Sequence, residues 1–416
     1  MYTEYFPRAT LASGKAGPNY WANSLVSALV ADGCSLGDAD QIFKEARALA
    51  EHGVDEPDSR FRAAVQRGFE KVIRNLGSQS EADEKAGRIL SAAEKQFRLA
   101  MVCENACWFF WPYGGPGIEN AGKYSREGRV AFRKAIAGNR LRHFSAEMVK
   151  IPYAGAELDG LFVPARGVSG PAPTVLHLNG MHSTLQWHFS LGIPQALAER
   201  GIASLLIDQP GGGETLHSLH IGARADTEAY VGLAVDYLQT RKDVDQERIG
   251  LLGGSLGGYR TIRALAFEPR VKAAVCFGAI YDVHIMPSDP AAYLALDPKD
   301  RPHYPVVGAD PPSDWKYWTQ KPTLAEAVEA MGELNVSKIL PRVTVPLLVV
   351  HGEGDRQMPA EAARLVISGA VNSPKRELVL INDEMQGTEH CNVDNPNYVI
   401  SVMADWMAGE LGGTLG

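Results

Sequence analysis

Two periodicities divide the chain. From about residue 18 to 138 apolar residues recur at helical spacing: Phe61, Val65, Phe69, Val72, Ile73 and Leu76 share one face, and Gly77 follows as the predicted stop. The segments near 21–31 and 38–51 have the same habit, and a long helix is predicted from about 80 to 110, ending in Trp108, Phe109, Phe110 and Trp111. The stretch 111–124, WPYGGPGIENAGKY, has glycine and proline enough to break that helix, which predicts a loop bearing Tyr113 and Tyr124. Such a loop either lines a substrate cavity or is a packed connection between helices.

From about 143 the pattern changes to strands. Residues 143–153 and 157–165, joined through Ala154-Gly155, read as a hairpin. Short apolar runs then alternate with helical patterns: 174–179 (TVLHLN), a helix near 186–200, 202–208 (IASLLID), a helix near 224–241 and 249–254 (IGLLGG). A helix with Tyr259, Ile262, Leu265 and Ala266 on one face comes next, then 271–278 (VKAAVCFG), 345–352 (VPLLVVHG), a helix near 359–370, 377–382 (ELVLIN) and a closing helix near 393–411. That order implies an α/β architecture with a mainly parallel, doubly wound sheet. A boundary near 140 separates a helical N-terminal domain, 1–140, from an α/β domain, 141–416. Within the second, about 279–340 form an insertion rich in proline, aspartate and tryptophan, including Trp315, Tyr317 and Trp318. An excursion over the C-terminal edge of a sheet is either a lid or surface packing.

Composition narrows the class. A chain of 416 residues, 45% hydrophobic and 22% charged, has room for a large core and suits a globular enzyme. A net charge of -8 with no long basic run argues against nucleic acid as a partner. The first residues, MYTEYFPRATLASGK, lack the apolar core of a signal peptide, and no run approaches membrane-spanning length, so no membrane partner and a cytoplasmic location are expected. Cys34, Cys103, Cys107, Cys276 and Cys391 are odd in number and contain no CxxC pair; they read as buried apolar residues in a reducing compartment, not as metal ligands.

The chemistry centres on 249–258, IGLLGGSLGG. Gly253-Gly254-Ser255-Leu256-Gly257 fits G-x-S-x-G, a weak signal alone in a chain with 42 glycines, but here a strand precedes it and a helix follows. A sharp strand-to-helix turn strains the serine and leaves no room for a Cβ two residues either side. It exposes the hydroxyl at a helix N-terminus, with the Leu256 N–H directed where an oxyanion would form.

A serine hydroxyl is a weak nucleophile, so it needs a histidine base and an acid that orients it, met on such a turn in the chain order serine, acid, histidine. Asp355, in VVHGEGDRQMP after a late strand, is the candidate acid, with helix capping as its structural alternative. Asp282, beyond the strand ending near Gly278, is a rival, and Glu353 a weaker one. His390 is the only histidine beyond position 351, in the loop where the base belongs. The second oxyanion donor is expected from NGMHST, where Met181 N–H follows Gly180. His182, Tyr113, Tyr124 and Asp282 are candidate substrate contacts. DQPGGGET, residues 208–215, lacks the lysine and spacing of a phosphate cradle and reads as a tight turn with structural Asp208 and Glu214.

With the helical first third, NGMHST, DQPGGGET, GGSLGGYR, GEGDRQMP and His390-Cys391 in view, the chain resembles the α/β-hydrolase superfamily. More narrowly it is similar to the group that joins a helical N-terminal cap domain to that fold: 2,6-dihydroxypseudooxynicotine hydrolase, the fungal yellowish-green pigment hydrolases and the FrsA-like esterases. The resemblance spans most of the chain. It implies that Ser255, Asp355 and His390 form a triad that cleaves a carbon–carbon bond next to a ketone or shortens a polyketide, with an aryl ketone, β-diketone or polyketide as substrate. The same triad serves a carboxylesterase, a thioesterase or an acyl transferase equally, and a binding protein on a hydrolase fold is the alternative of another class. No cofactor and no metal are implied. The partner expected is a small molecule, aromatic or polyketide, with a homodimer as the oligomer left open.

Overall fold

The computed structural model describes every residue except 1–3, 13–16, 139–140, 142–144, 182, 286–288, 298–310 and 416. The chain divides into two compact units, residues 1–145 with 302–314 and residues 146–301 with 315–416.

The first unit holds α1 (Tyr20–Ala31), α2 (Leu36–Glu51), α3 (Ser59–Lys85), α4 (Ile89–Phe110) and α5 (Gly115–Ile136). From Leu99 to Cys107 α4 is buried on every side, which makes it the central helix. Neighbours approach it and each other closely where side chains are missing. A Cβ on Gly68 of α3 would lie 2.0 Å from the Ile42 carbonyl of α2, and one on Gly128 of α5 would lie 2.9 Å from Cys103 Cβ of α4. Phe6, Phe43, Phe61 and Phe69 are fully buried together, with Phe6 edge-on to Phe43 at 5.4 Å.

Two boundaries differ from those predicted. Gly77 lies inside α3, which continues to Lys85, and the turn falls at Gly87, whose φ is +73°. A mid-helix glycine costs about 1 kcal/mol relative to alanine, which the buried stripe from Phe61 to Leu76 outweighs; a left-handed turn strains every other residue type. Residues 111–124 are likewise not a loop. A 3-10 turn spans Trp111–Tyr113, Gly114 breaks the chain at φ +63°, and α5 starts at Gly115. Pro116 sits in the first turn of α5, where its missing N–H has no intrahelical partner to lose.

The second unit follows the expected alternation. Its elements are β1 (Glu147–Tyr153), β2 (Ala156–Val163), β3 (Ala172–Leu178), α6 (Leu185–Ser190), α7 (Ile193–Glu199), β4 (Ala203–Ile207), α8 (Gly213–His217), α9 (Glu228–Thr240), β5 (Val244–Gly254), α10 (Leu256–Leu265) and β6 (Val271–Phe277). Then come α11 (Pro290–Ala295), α12 (Pro311–Thr319, of which 311–314 are counted with the first unit), α13 (Leu324–Gly332), β7 (Leu347–Gly352), α14 (Ala360–Gly369), β8 (Arg376–Ile381) and α15 (Pro396–Leu411). The predicted hairpin is β1–β2, turned by Ala154 at φ +47° and Gly155 at φ +79°, the two positive values a two-residue turn needs. The single helix predicted near 186–200 is split into α6 and α7 at Gly192, φ +87°. Within DQPGGGET the chain already coils into α8.

The eight strands form one sheet in the order β1-β2-β4-β3-β5-β6-β7-β8, antiparallel at β1–β2 and β2–β4 and parallel from β4 onward. β3 and β7 are buried along their whole lengths, as strands covered on both faces must be. The chain leaves β3 toward β4 and returns on the other side as β5, so the order reverses between β3 and β5. A crevice outside the carboxyl ends of these two strands is where open α/β sheets bind ligands. The loops that follow β3 and β5 begin at Asn179 and Ser255.

Among the described residues no helix is long and apolar enough to cross a membrane. In the insertion between β6 and β7, Trp315 and Trp318 are buried, and Trp318 Nε1 donates to the Gly211 carbonyl at 3.0 Å, tying α12 to the glycine turn before α8.

Candidate active site

Ser255 stands between β5 and α10 at φ +56°, ψ -124°, a conformation that costs a non-glycine residue on the order of 1–3 kcal/mol. The surrounding glycines impose it. A Cβ on Gly253 would lie 2.1 Å from the Gly257 carbonyl, one on Gly257 2.0 Å from the Leu178 carbonyl, and one on Gly254 2.5 Å from the Phe277 ring. Ser255 N–H donates to the Phe277 carbonyl at 2.8 Å and is thereby used up. The next N–H, that of Leu256, opens α10 and lacks an intrahelical acceptor.

The loops after β7 and β8 bring an acid and a base to this turn. His390 Nε2 lies 2.8 Å from Ser255 Oγ, and His390 Nδ1 lies 2.6 Å from Asp355 Oδ2. The other Asp355 oxygen accepts from the N–H groups of Gln357 and Met358, both at 2.8 Å, so the carboxylate is held in one orientation. His351 Nε2 is 3.0 Å from the Met358 carbonyl and only 3.6 Å from Asp355 Oδ2. Burial pushes the Asp355 carboxyl up, but the His390 charge, with His351 and the Met358 N–H, holds it below the usual carboxylate value. For His390 burial opposes the charged ring, yet the Asp355 charge, with Cys391 beside it, carries its pKa well above the ordinary histidine value. Cys391 and Asn392 have φ of +52° and +57°, so left-handed residues follow the imidazole as one holds the hydroxyl.

The loop after β3 closes the other side. A Cβ on Gly180 would lie 3.1 Å from Ser255 Cβ and 3.5 Å from Oγ, so this glycine lets the chain pass against the serine, with Met181 next. Asn179 anchors the loop: its N–H donates to Gln209 Oε1 at 3.2 Å, its Nδ2 donates to the Ile207 carbonyl at 2.8 Å, and its carbonyl accepts from Arg260 Nη1 at 2.5 Å. Arg260 and Gln209 lie inside GGSLGGYR and DQPGGGET, but sequence gave them no role, because nothing local says which carbonyls a buried guanidinium will reach.

The remaining candidates fall elsewhere. Asp282 accepts from the His284 N–H at 2.9 Å and from Asn335 Nδ2 at 2.6 Å, within a bridge pairing it with Asn335; it is not the partner of His390. Glu353 is exposed. Tyr124 is fully buried and stacked on Phe110 at 5.8 Å in the core of the first unit. Tyr113 donates its hydroxyl to Glu56, whose carboxyl burial raises to about 8 against the Tyr113 and Ala22 donors. Both tyrosines thus serve helix packing where a substrate loop was one option. His182 lies outside the described residues. Asp208 accepts from Leu185 N–H at 2.7 Å and Glu214 N–H at 3.1 Å and builds the glycine turn. The five cysteines are buried, and none is in a disulfide.

A parallel sheet with a strained serine between strand and helix, and with acid and histidine loops from later strands, defines the α/β-hydrolase fold. The chain belongs to the prolyl oligopeptidase family, whose model matches residues 187–414, a span that contains Ser255, Asp355 and His390. It is a member of a hydrolase family. Among curated proteins it is similar to the 2,6-dihydropseudooxynicotine hydrolase of Paenarthrobacter nicotinovorans, 28% identical over 239 residues that cover 57% of this chain and 58% of the relative. It is also similar to the 20-hydroxy-prefusarin hydrolase of Gibberella moniliformis, 36% identical over 140 residues, 32% of this chain and 33% of the relative. The chain therefore spans a little over half of the first relative and a third of the second. Its fold is that of the solved 2,6-dihydroxy-pseudo-oxynicotine hydrolase, with a TM-score of 0.69 at 23% identity over 92% of this chain and 95% of that one.

Proposed function

We propose that the chain is a serine hydrolase with Ser255 as nucleophile, His390 as general base and acid, and Asp355 as the group that orients and balances His390. The observation that carries this reading is the unbroken line from Asp355 Oδ2 to His390 Nδ1 at 2.6 Å and from His390 Nε2 to Ser255 Oγ at 2.8 Å. Ser255 Oγ adds to a substrate carbonyl as His390 Nε2 takes its proton, and the N–H groups of Leu256 and Met181 receive the oxyanion. Collapse of the adduct expels the leaving group, which takes the proton back from His390. A water deprotonated by His390 then attacks the acyl-serine ester, releasing a carboxylic acid and restoring Ser255.

The bond we propose is carbon–carbon, next to a ketone. Expelling carbon requires a carbanion stabilised as an enolate or by an electron-rich aromatic ring, so the substrate class is an acylated phenol, a β-diketone or a polyketide chain. The likeness to a pseudooxynicotine hydrolase and a prefusarin hydrolase supports this choice over a simple ester. The test offers purified protein matched aryl ketone, β-diketone and aryl ester substrates, with S255A as control. Ketone or diketone turnover that S255A abolishes supports the reading, and ester turnover alone reassigns the enzyme to the esterases. Active turnover by S255A overturns the triad, and failure of folded wild-type protein to react with a fluorophosphonate points to a binding protein.

A further inference from the structure

Arg260 lies one turn into α10 and is 1% exposed, yet no carboxylate pairs with it among the described residues. Burying an unpaired guanidinium is costly unless its donors are satisfied. Here they meet main-chain carbonyls of two loops: Nη1 reaches Asn179 O at 2.5 Å and Gly180 O at 3.4 Å, and Nη2 reaches Pro210 O at 3.4 Å. Burial lowers its pKa, with Tyr230 and Tyr259 acting in the other direction.

The target of the longer Nη1 bond matters. The Gly180 carbonyl and the Met181 N–H are the two ends of one planar peptide unit, and among the described residues no peptide bond is cis, so they point in opposite directions. A cation at the oxygen end fixes the plane and draws electron density from the N–H end, which makes that N–H a stronger donor on the far side. Gly180 packs directly on Ser255. A neutral side chain able to span Asn179, Gly180 and Pro210 would satisfy these carbonyls without a buried charge.

We infer that Arg260 is a positioning residue for the oxyanion hole, acting through the Gly180 carbonyl to orient and polarise the peptide whose N–H, at Met181, receives the developing negative charge. The inference rests on the role proposed above for Met181. Its consequence is that Arg260 contributes to the adduct and not to substrate binding.

The test uses the full chain as R260M and R260K, with S255A alongside. Active sites are counted by fluorophosphonate titration, so turnover is expressed per competent Ser255 and a smaller folded fraction drops out. R260M is expected to lose about tenfold or more in kcat per titrated site with KM within about twofold, R260K to lose less, and free guanidinium to restore part of the R260M loss. A trifluoromethyl ketone, which forms an oxyanion with Ser255, should lose affinity in step with kcat/KM. Unchanged kcat per titrated site, or unchanged trifluoromethyl ketone affinity, in both variants overturns the inference. So does loss of the fold in both, which assigns Arg260 to stability alone. Turnover by S255A sinks the triad reading, whereas an inactive S255A beside a fully active R260M sinks only the role of Arg260.

Discussion

Arg356 and Glu389 pair at 3.0 Å, and each is the chain neighbour of a proposed site residue: Arg356 follows Asp355, and Glu389 precedes His390. Their side chains are 18% and 4% exposed, so the pair is largely shielded from water and clamps the acid loop to the base loop. Removing one partner takes an ion-pair partner from the other charge, which for fully buried pairs costs about 3–5 kcal/mol and here less, because Arg356 keeps some contact with water. R356Q and E389Q should each lower the urea midpoint and kcat, while the double variant should lose less than the sum of the two. Strictly additive losses would show that the pair does not couple the loops.

The raised His390 pKa gives a pH dependence with a definite sign. In the proposed triad His390 must be neutral to accept the Ser255 proton, so kcat/KM should rise with pH through an apparent value above the ordinary 6.5. Asp355 is what lifts it against burial. In D355N that lift is gone and only Cys391 still opposes burial, so the surviving activity should titrate at lower pH, at a rate reduced on the order of 10⁴-fold. An acidic limb that stays in place in D355N would count against this coupling.

The elbow glycines predict a contrast within one residue type. G257A would set a methyl 2.0 Å from the Leu178 carbonyl and should destabilise by about 1–3 kcal/mol or more while lowering the fraction of serine open to fluorophosphonate. G115A, whose methyl would meet nothing within 4 Å, should leave the thermal midpoint unchanged or slightly raised. Equal effects from the two substitutions would mean that the elbow tolerates repacking.

A histidine pair beneath the sheet predicts acid lability. His177 on β3 and His188 on α6 are fully buried, with Nδ1 atoms 3.3 Å apart and neither Nε2 hydrogen-bonded among the described residues. Burial holds His177 well below the usual histidine value and His188 at about 3. The unfolded chain therefore binds more protons than the folded one below pH 6.5. The stability of the neutral pair is complete above that value and drains away as pH falls toward 3. Thermal midpoints between pH 7.5 and 4.5 should fall more steeply for the wild type than for H177L/H188F. Parallel curves would remove the pair from the acid response.

Much of this molecule is written locally. The order of strands and helices after residue 146 follows from apolar runs of strand length alternating with stripes of helical spacing, and the elbow follows from glycines spaced around a serine. These are short-range effects, decided by sterics and burial within a few residues. Where local signals misled, a longer-range term had won. Gly77 stays helical because buried positions run on past it, from the stripe between Phe61 and Leu76 to Ser80 and Asp83, and Tyr113 and Tyr124 are turned inward by distant partners, Tyr113 half-buried on Glu56 and Tyr124 fully buried on Phe110.

Side-chain periodicity and the sterics of glycine act between near neighbours, so the linear chain already carries the class of fold and, in its order, a serine, an acid and a histidine as candidates. It takes the folded chain to bring Asp355 and not Asp282 to His390, to set a buried Arg260 against the loop before Met181, and to join the loops bearing Asp355 and His390 through Arg356 and Glu389. Those choices depend on hydrogen bonds and charges between residues from 33 to 81 positions apart, and distance along a chain carries no information about separation in space until the sheet has closed it.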